Sequence, residues 1–193
     1  MKHLEEIKEQ IRKKQVKSLL DYNIFLVGFM GSGKTTIAEG LSSLLERERI
    51  EMDELIAQKQ QMTIPEIFAE YGEAYFRNLE SNTLIELQKK RQAIISCGGG
   101  VVVREGNADH MKKHGRIVLL TANSQTILER VKGNDERPIL KNNMNTEFID
   151  ELMEKRRKNY LSAADIIIET DQKDVLEICQ EIISKLIEFD KQN

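Results

Sequence analysis

Five short apolar runs are spaced along the chain between longer stretches of helical periodicity. Ile24-Phe25-Leu26-Val27, the segment Arg49 to Asp53, Gln92 to Cys97, Ile117-Val118-Leu119-Leu120 and Ile166-Ile167-Ile168 each read as a strand. Runs without polar alternation suit strands covered on both faces. Helices are expected over Thr36 to Glu46, from Glu54 to Gln60, from Thr63 with a break at Gly72 and renewed helix from Glu73 toward Lys90, over Asn107 to Lys113, from about Ser124 to Lys132, over Thr146 to Leu161 and over Val175 to Phe189. Thr63, Pro65 and Glu66 match a capping box with proline in the first turn, and Asn123 or Ser124 can cap its helix. Alternating strands and helices predict an α/β fold: a three-layer, doubly wound, mostly parallel five-stranded sheet.

The longer intervals add detail. Residues 1–22 form a charged, helix-prone amino-terminal extension with an apolar stripe through Leu4, Ile7, Ile11, Val16, Leu19 and Leu20. Residues 23–193 read as one domain, with a helical insert over about 53–90, large enough to hold an acceptor. The polar, turn-rich stretch at about 131–146 is expected to be a lid.

A formal charge of -3 from 29 basic and 32 acidic residues advertises no polyanion surface, so no nucleic-acid partner is expected. No apolar run reaches membrane-spanning length, so no membrane partner is expected. Cys97 and Cys179 are far apart, which favours reduced thiols in the cytoplasm. His3, His110 and His114 lack the spacing of a zinc site. A monomer is expected, with the amino-terminal helix available for self-association.

Candidate chemistry is densest between the first strand and the first helix. Gly28-Phe29-Met30-Gly31-Ser32-Gly33-Lys34-Thr35 fits a P-loop in its proper context of strand, glycine turn and helix. Backbone amides of Gly31, Ser32 and Gly33 and the helix start at Thr36 can surround phosphate oxygens. Lys34 can reach the β- and γ-phosphates, and Thr35 can ligate magnesium. Glu51 and Asp53, one residue apart, are expected to leave a strand end on one side. Gly98-Gly99-Gly100 follows the third strand at the sheet edge where open α/β folds bind ligands. Arg130 and Arg137 flank the lid entrance, suited to phosphates. Taken alone, Arg77 and Arg156 are equally well read as helix-surface ion pairs. No Asn-Lys-x-Asp guanine-reading run is present, which leaves a small-molecule kinase as the leading class.

From about Asn23 to Ile187 the chain resembles the shikimate kinase family. The resemblance rests on Asn23 to Gly31, the acidic pair at 51 and 53, Gly72-Glu73 followed by Phe76-Arg77, the glycine triplet, Arg137-Pro138, and Arg156 four residues before Tyr160. It implies transfer of the ATP γ-phosphoryl group to the shikimate 3-hydroxyl, with Mg2+ as cofactor. It further implies that Asp53 holds the acceptor hydroxyls, that Arg77 and Arg156 clamp the carboxylate, and that Gly98, Gly99 and Gly100 help hold the acceptor. Arg137 corresponds to the family's lid arginine and Arg130 to the one packing on adenine. Lys34, Asp53 and Arg137 are thus the expected catalytic residues. Two departures stand out. Glu51, expected near magnesium through water, replaces the usual first aspartate of an Asp-x-Asp pair, and residues 170–174 lack the proline that usually completes the adenine pocket. The alternatives are a kinase for gluconate, quinate or another small polyhydroxy acid, and a non-catalytic ATP-binding switch.

Overall fold

In the computed structural model, which describes residues 16, 18–132 and 145–192, the apolar runs become parallel strands: β1 (Asn23–Val27), β2 (Arg49–Glu51), β3 (Ile94–Ser96), β4 (Gly115–Thr121) and β5 (Ile166–Glu169). They form one sheet in the order β2-β3-β1-β4-β5. The register pairs Ile24 with Ile94 on one side of β1 and with Arg116 on the other. The intervening helices are α1 (Lys34–Leu45), α2 (Met52–Gln60), α3 (Ile64–Leu87), α4 (Asn107–His114), α5 (Ser124–Val131), α6 (Thr146–Ala163) and α7 (Val175–Gln192).

Alternation along the central strands divides the core into two layers. Ile24, Leu26, Val118 and Leu120 pack with Ile37 and Leu41 of α1 and Ile178 and Ile182 of α7. Phe25, Val27, Ile117 and Leu119 face the other way, onto Leu84 of α3, Met111 of α4 and Tyr160 of α6. Helices therefore cover both faces, as the doubly wound pattern requires. Thr63 caps α3 with a complete capping box, and Gly72 breaks that helix at φ 79°, ψ 174°, a backbone setting that favours glycine. The insert closes on a small core of Ile56, Ile67 and Phe76.

Two expectations need correction. The second strand ends at Glu51, and Asp53 lies in the first turn of α2 rather than on the strand. Glu51 holds an extended backbone as the residue before α2, and the acids Asp53 and Glu54 favour the positive end of that helix. Ile167 is 43% exposed, not buried, because β5 is a sheet edge with its buried residues on the α7 side. Val101–Val103 forms a 3-10 turn after the glycine triplet. Val175 opens α7 exposed.

Most of the amino-terminal extension (residues 1–15 and 17) and most of the expected lid, with Arg137 (residues 133–144), lie outside the described residues. Where the extension meets the core it is tied down: Arg47 Nη1 donates to Tyr22 O at 3.3 Å, and the Tyr22 hydroxyl donates to Asp190 near the end of α7. Among the described residues no helix is long and apolar enough to cross a membrane.

Candidate active site

A cavity of about 1130 Å³ lies across the carboxyl ends of the strands, where parallel sheets place ligands. One end is made by the loop from β1 to α1. Gly31 and Gly33 have φ of 78° and 96°, in the left-handed region open to glycine at little cost. Gly33 immediately precedes α1, so the amino end of that helix, with its unpaired amides, faces the cavity. Lys34 Nζ donates to Gly28 O at 3.0 Å and to Phe29 O at 3.1 Å, folding the side chain over its own loop. Among the described residues, Ser32 Oγ is buried without a hydrogen-bond partner. A turn of inward amides, an orphaned hydroxyl and an ammonium group form a donor set that fits a polyphosphate.

At the floor, Thr35 Oγ1 donates to Glu51 Oε2 at 3.3 Å and Arg49 Nη1 reaches Glu51 Oε1 at 3.3 Å. Ser96 also hydrogen-bonds Glu51, and burial is the main reason that its carboxyl titrates above the ordinary range. Hydroxyl and carboxylate side by side suit a hard divalent cation holding part of its water shell. On the far side, Arg130 Nη1 donates to Thr170 Oγ1 and Nη2 to Thr170 O, both at 2.9 Å. Arg130 also reaches Gly31 O at 3.3 Å, so α5 is tied directly to the phosphate loop.

The opposite end gathers side chains from distant segments. Arg77 of α3 donates from Nη1 to Glu80 Oε2 at 2.6 Å and from Nη2 to Glu73 Oε1 at 2.8 Å. Its guanidinium lies directly against Gly100, where any Cβ would collide with it. A Cβ on Gly98 would strike Glu80 Oε1 and stand 2.8 Å from Asp53 Oδ1, so Gly98 and Gly100 allow close approach, whereas a Cβ on Gly99 would meet nothing nearer than 3.5 Å. Arg156 Nη1 donates to Gly99 O at 3.3 Å. The structure therefore brings Asp53, Arg77, Gly98, Gly99, Gly100 and Arg156 to one end of the cavity, and Gly31 to Thr36, Glu51 and Arg130 to the other.

Residues 30–187 match the family model described as Shikimate kinase. The chain belongs to the shikimate kinase family. Among curated relatives, the shikimate kinase of Persephonella marina is 40% identical over 164 residues, covering 85% of this chain and 98% of its own length. The structure of shikimate kinase from Acinetobacter baumannii in complex with shikimate superposes with a TM-score of 0.82 at 33% identity, over 86% of this chain and 93% of that one. The Aquifex aeolicus shikimate kinase gives a TM-score of 0.73 at 39% identity, over 85% and 95% of the two chains. A gluconokinase from Sinorhizobium meliloti, at 14% identity and a TM-score of 0.51, shares the fold alone.

As a member of the shikimate kinase family the protein is an ATP-using enzyme, and three residues to which sequence reasoning gave no role bear on its site. Glu80 is 1% exposed, and its Oε1 has no hydrogen-bond partner among the described residues. Burial pushes its pKa up to about 7 against the opposing pull of Arg77 and Arg156, with Asp53 adding to the rise. The signal available in the sequence was an acid three residues after Arg77, a spacing that sets both on one helix face. Tyr160 donates its hydroxyl to Gly99 O from the turn after Arg156. Thr170, 1% exposed, bonds Thr121 O at 3.0 Å and Ser32 O at 3.3 Å as well as Arg130, and so joins the end of β4 to the phosphate loop. In the segment that lacks the usual shikimate kinase proline, Lys173 lines the cavity with its Nζ held by Glu181 at 2.6 Å.

Proposed function

We propose that the protein transfers the γ-phosphoryl group of ATP to the 3-hydroxyl of shikimate, giving shikimate 3-phosphate and ADP. The observation that carries this reading is the convergence of Arg77 and Arg156, from separate helices, on the glycine triplet within the cavity that also holds the P-loop. Two guanidinium groups beside the backbone of a glycine triplet suit a carboxylate with hydroxyls on a small ring, since guanidinium binds carboxylate through paired hydrogen bonds. The relative from Acinetobacter baumannii, solved with shikimate, supports the same acceptor.

In this reading the amides of Gly31 to Gly33 hold the phosphates, with Thr36 beside them at the start of α1. Lys34 turns from the loop carbonyls toward the β- and γ-phosphates. Arg130 packs on adenine and Arg137 approaches the phosphates from the lid. Thr35 and, through water, Glu51 would hold Mg2+, which neutralises charge on the phosphate oxygens. Asp53 orients the reacting hydroxyl and receives its proton. Because phosphoryl transfer depends mainly on alignment and charge neutralisation, Lys34 and Arg137 contribute more to the rate than Asp53 acting as a base. The enzyme works as a cytoplasmic monomer with residues 23–193 forming one domain.

The test couples ADP release to added shikimate, quinate, gluconate or no acceptor. Turnover that requires shikimate is expected. ADP release independent of acceptor, or preference for gluconate or quinate, would replace this reading.

A further inference from the structure

Within the glycine triplet, Val101 N–H donates to Gly98 O at 3.2 Å and Val103 N–H to Gly100 O at 3.0 Å, so it is the orientation of the Gly99 carbonyl that has to come from outside. Two donors on α6 supply it. Arg156 Nη1 reaches Gly99 O at 3.3 Å, and the Tyr160 hydroxyl, one helical turn later, donates to the same oxygen. Arg156 also hydrogen-bonds the phenol, linking guanidinium, hydroxyl and carbonyl in one chain. Tyr160 is 6% exposed, and its ring packs in the core layer with Phe25, Val27 and Leu119. The ring is therefore a rigid mount for its hydroxyl. Burial raises the phenol's pKa, which keeps it a proton donor at neutral pH.

The peptide between Gly99 and Gly100 is trans, so its C=O and N–H point in opposite directions. Drawing the carbonyl toward α6 turns the Gly100 N–H away from α6. The cavity and the Arg77 guanidinium both lie beside Gly100. The geometry points to Tyr160 as a positioning residue for the acceptor, holding Gly99 O so that the Gly100 N–H is presented to the acceptor carboxylate beside Arg77. This inference rests on shikimate being the acceptor, and it assigns the task to a side chain that need not touch it. A glycine peptide left without this anchor can rotate cheaply, because neither neighbour has a Cβ to oppose the change.

The experiment is Tyr160→Phe, which keeps the ring in the core and removes the hydroxyl alone. One moderately strong hydrogen bond lost from acceptor positioning predicts a roughly tenfold rise in KM for shikimate. Loss of binding shared by ground and transition states leaves kcat and KM for ATP within about twofold. With 15N-glycine labelling, the Gly100 amide resonance should move, while Gly31 and Gly33 should not. An unchanged shikimate KM with an unmoved Gly100 amide would overturn the inference. Equal rises in both KM values with a lowered Tm would assign Tyr160 to the core instead, overturning it as well. Wild-type protein that does not phosphorylate shikimate would overturn the proposed substrate, while the Gly100 resonance in Tyr160→Phe would still decide the peptide's orientation.

Discussion

At the phosphate end of the cavity, Gly31 to Thr36 line the wall as one unbroken stretch that runs from the loop after β1 into α1. The acceptor end draws Asp53 from α2, Arg77 and Glu80 from α3, Gly98 to Gly100 from the loop after β3, and Arg156 with Tyr160 from α6. The first end is held by local backbone geometry, mainly left-handed glycines and a helix start. The second is held by packing and by a network of charges from separate elements, one of them a buried carboxyl. Changes at the phosphate end should therefore alter rate with little effect on stability. At the acceptor end, substrate affinity and folding stability should move together.

The largest effect should come from Lys34→Met. Lys34 lies partly exposed over the phosphate loop, so losing its ammonium removes charge stabilisation during transfer without opening a core cavity. A fall in kcat of roughly a thousandfold is expected, from the size of single electrostatic contributions to phosphoryl and related transfers. Unfolding free energy should stay within about 1 kcal/mol of wild type. A folded variant retaining kcat within about tenfold would break the comparison at its stronger side.

Glu80→Gln tests the opposite end through pH. Burial lifts the Glu80 pKa to about 7, so folding takes up a proton at pH values between the ordinary carboxyl range and neutrality. The stability supplied by this uptake is complete below the unfolded pKa and is lost as pH rises through about 7. The loss is on the order of 3 kcal/mol for a carboxyl raised by this much. Glutamine nearly matches the side chain's volume but cannot titrate, so its stability profile should be flatter from pH 4.5 to 7.5. Urea unfolding across that window gives the answer. Parallel wild-type and variant profiles would mean that Glu80 stays ionised beside Arg77.

The two ends also differed in how far the sequence disclosed them. The P-loop was legible because all its chemistry is contiguous and its setting, apolar run then helix, is local. The glycine triplet was legible because it follows a buried strand. Asp53 was expected at the site, but its helical position was not, since nothing in Glu51-Met52-Asp53 punctuates the change from strand to helix. Glu80 could be found only by asking which residue shares a helix face with Arg77, and its burial depends on how α3 meets the strand ends. The exposure of Ile167 requires the strand order, which apolar runs do not encode. Thr170 sits just past an expected strand, and its three-way role arises only when β4, β5 and the phosphate loop meet.

Arg156→Lys sharpens the acceptor side at a smaller scale. Lysine keeps the charge but loses the planar fork that can hold a carboxylate while donating to Gly99 O at 3.3 Å. KM for shikimate should rise roughly tenfold, and KM for ATP should hold, consistent with one charge-assisted hydrogen bond lost. Steady-state kinetics with each substrate varied in turn would show it. A matching rise in KM for ATP would mean that Arg156 serves both ends and that they are not separable.

Glu51→Asp should have the smallest effect, because it keeps the charge at the phosphate end and changes only its reach. Glu51 accepts from Thr35 Oγ1 at 3.3 Å with one oxygen and pairs with Arg49 at 3.3 Å with the other. Aspartate is one methylene shorter and cannot keep both contacts from the same backbone position. The Thr35 hydroxyl would then be less firmly oriented for Mg2+, with the negative charge still present. At the lower limit of a hydrogen bond's net contribution, the Mg2+ concentration for half-maximal rate should rise about threefold, with kcat unchanged at saturating Mg2+. Titrating Mg2+ at fixed ATP and shikimate measures both quantities. An unchanged midpoint would remove Glu51 from the metal's surroundings and leave it to its ion pair with Arg49.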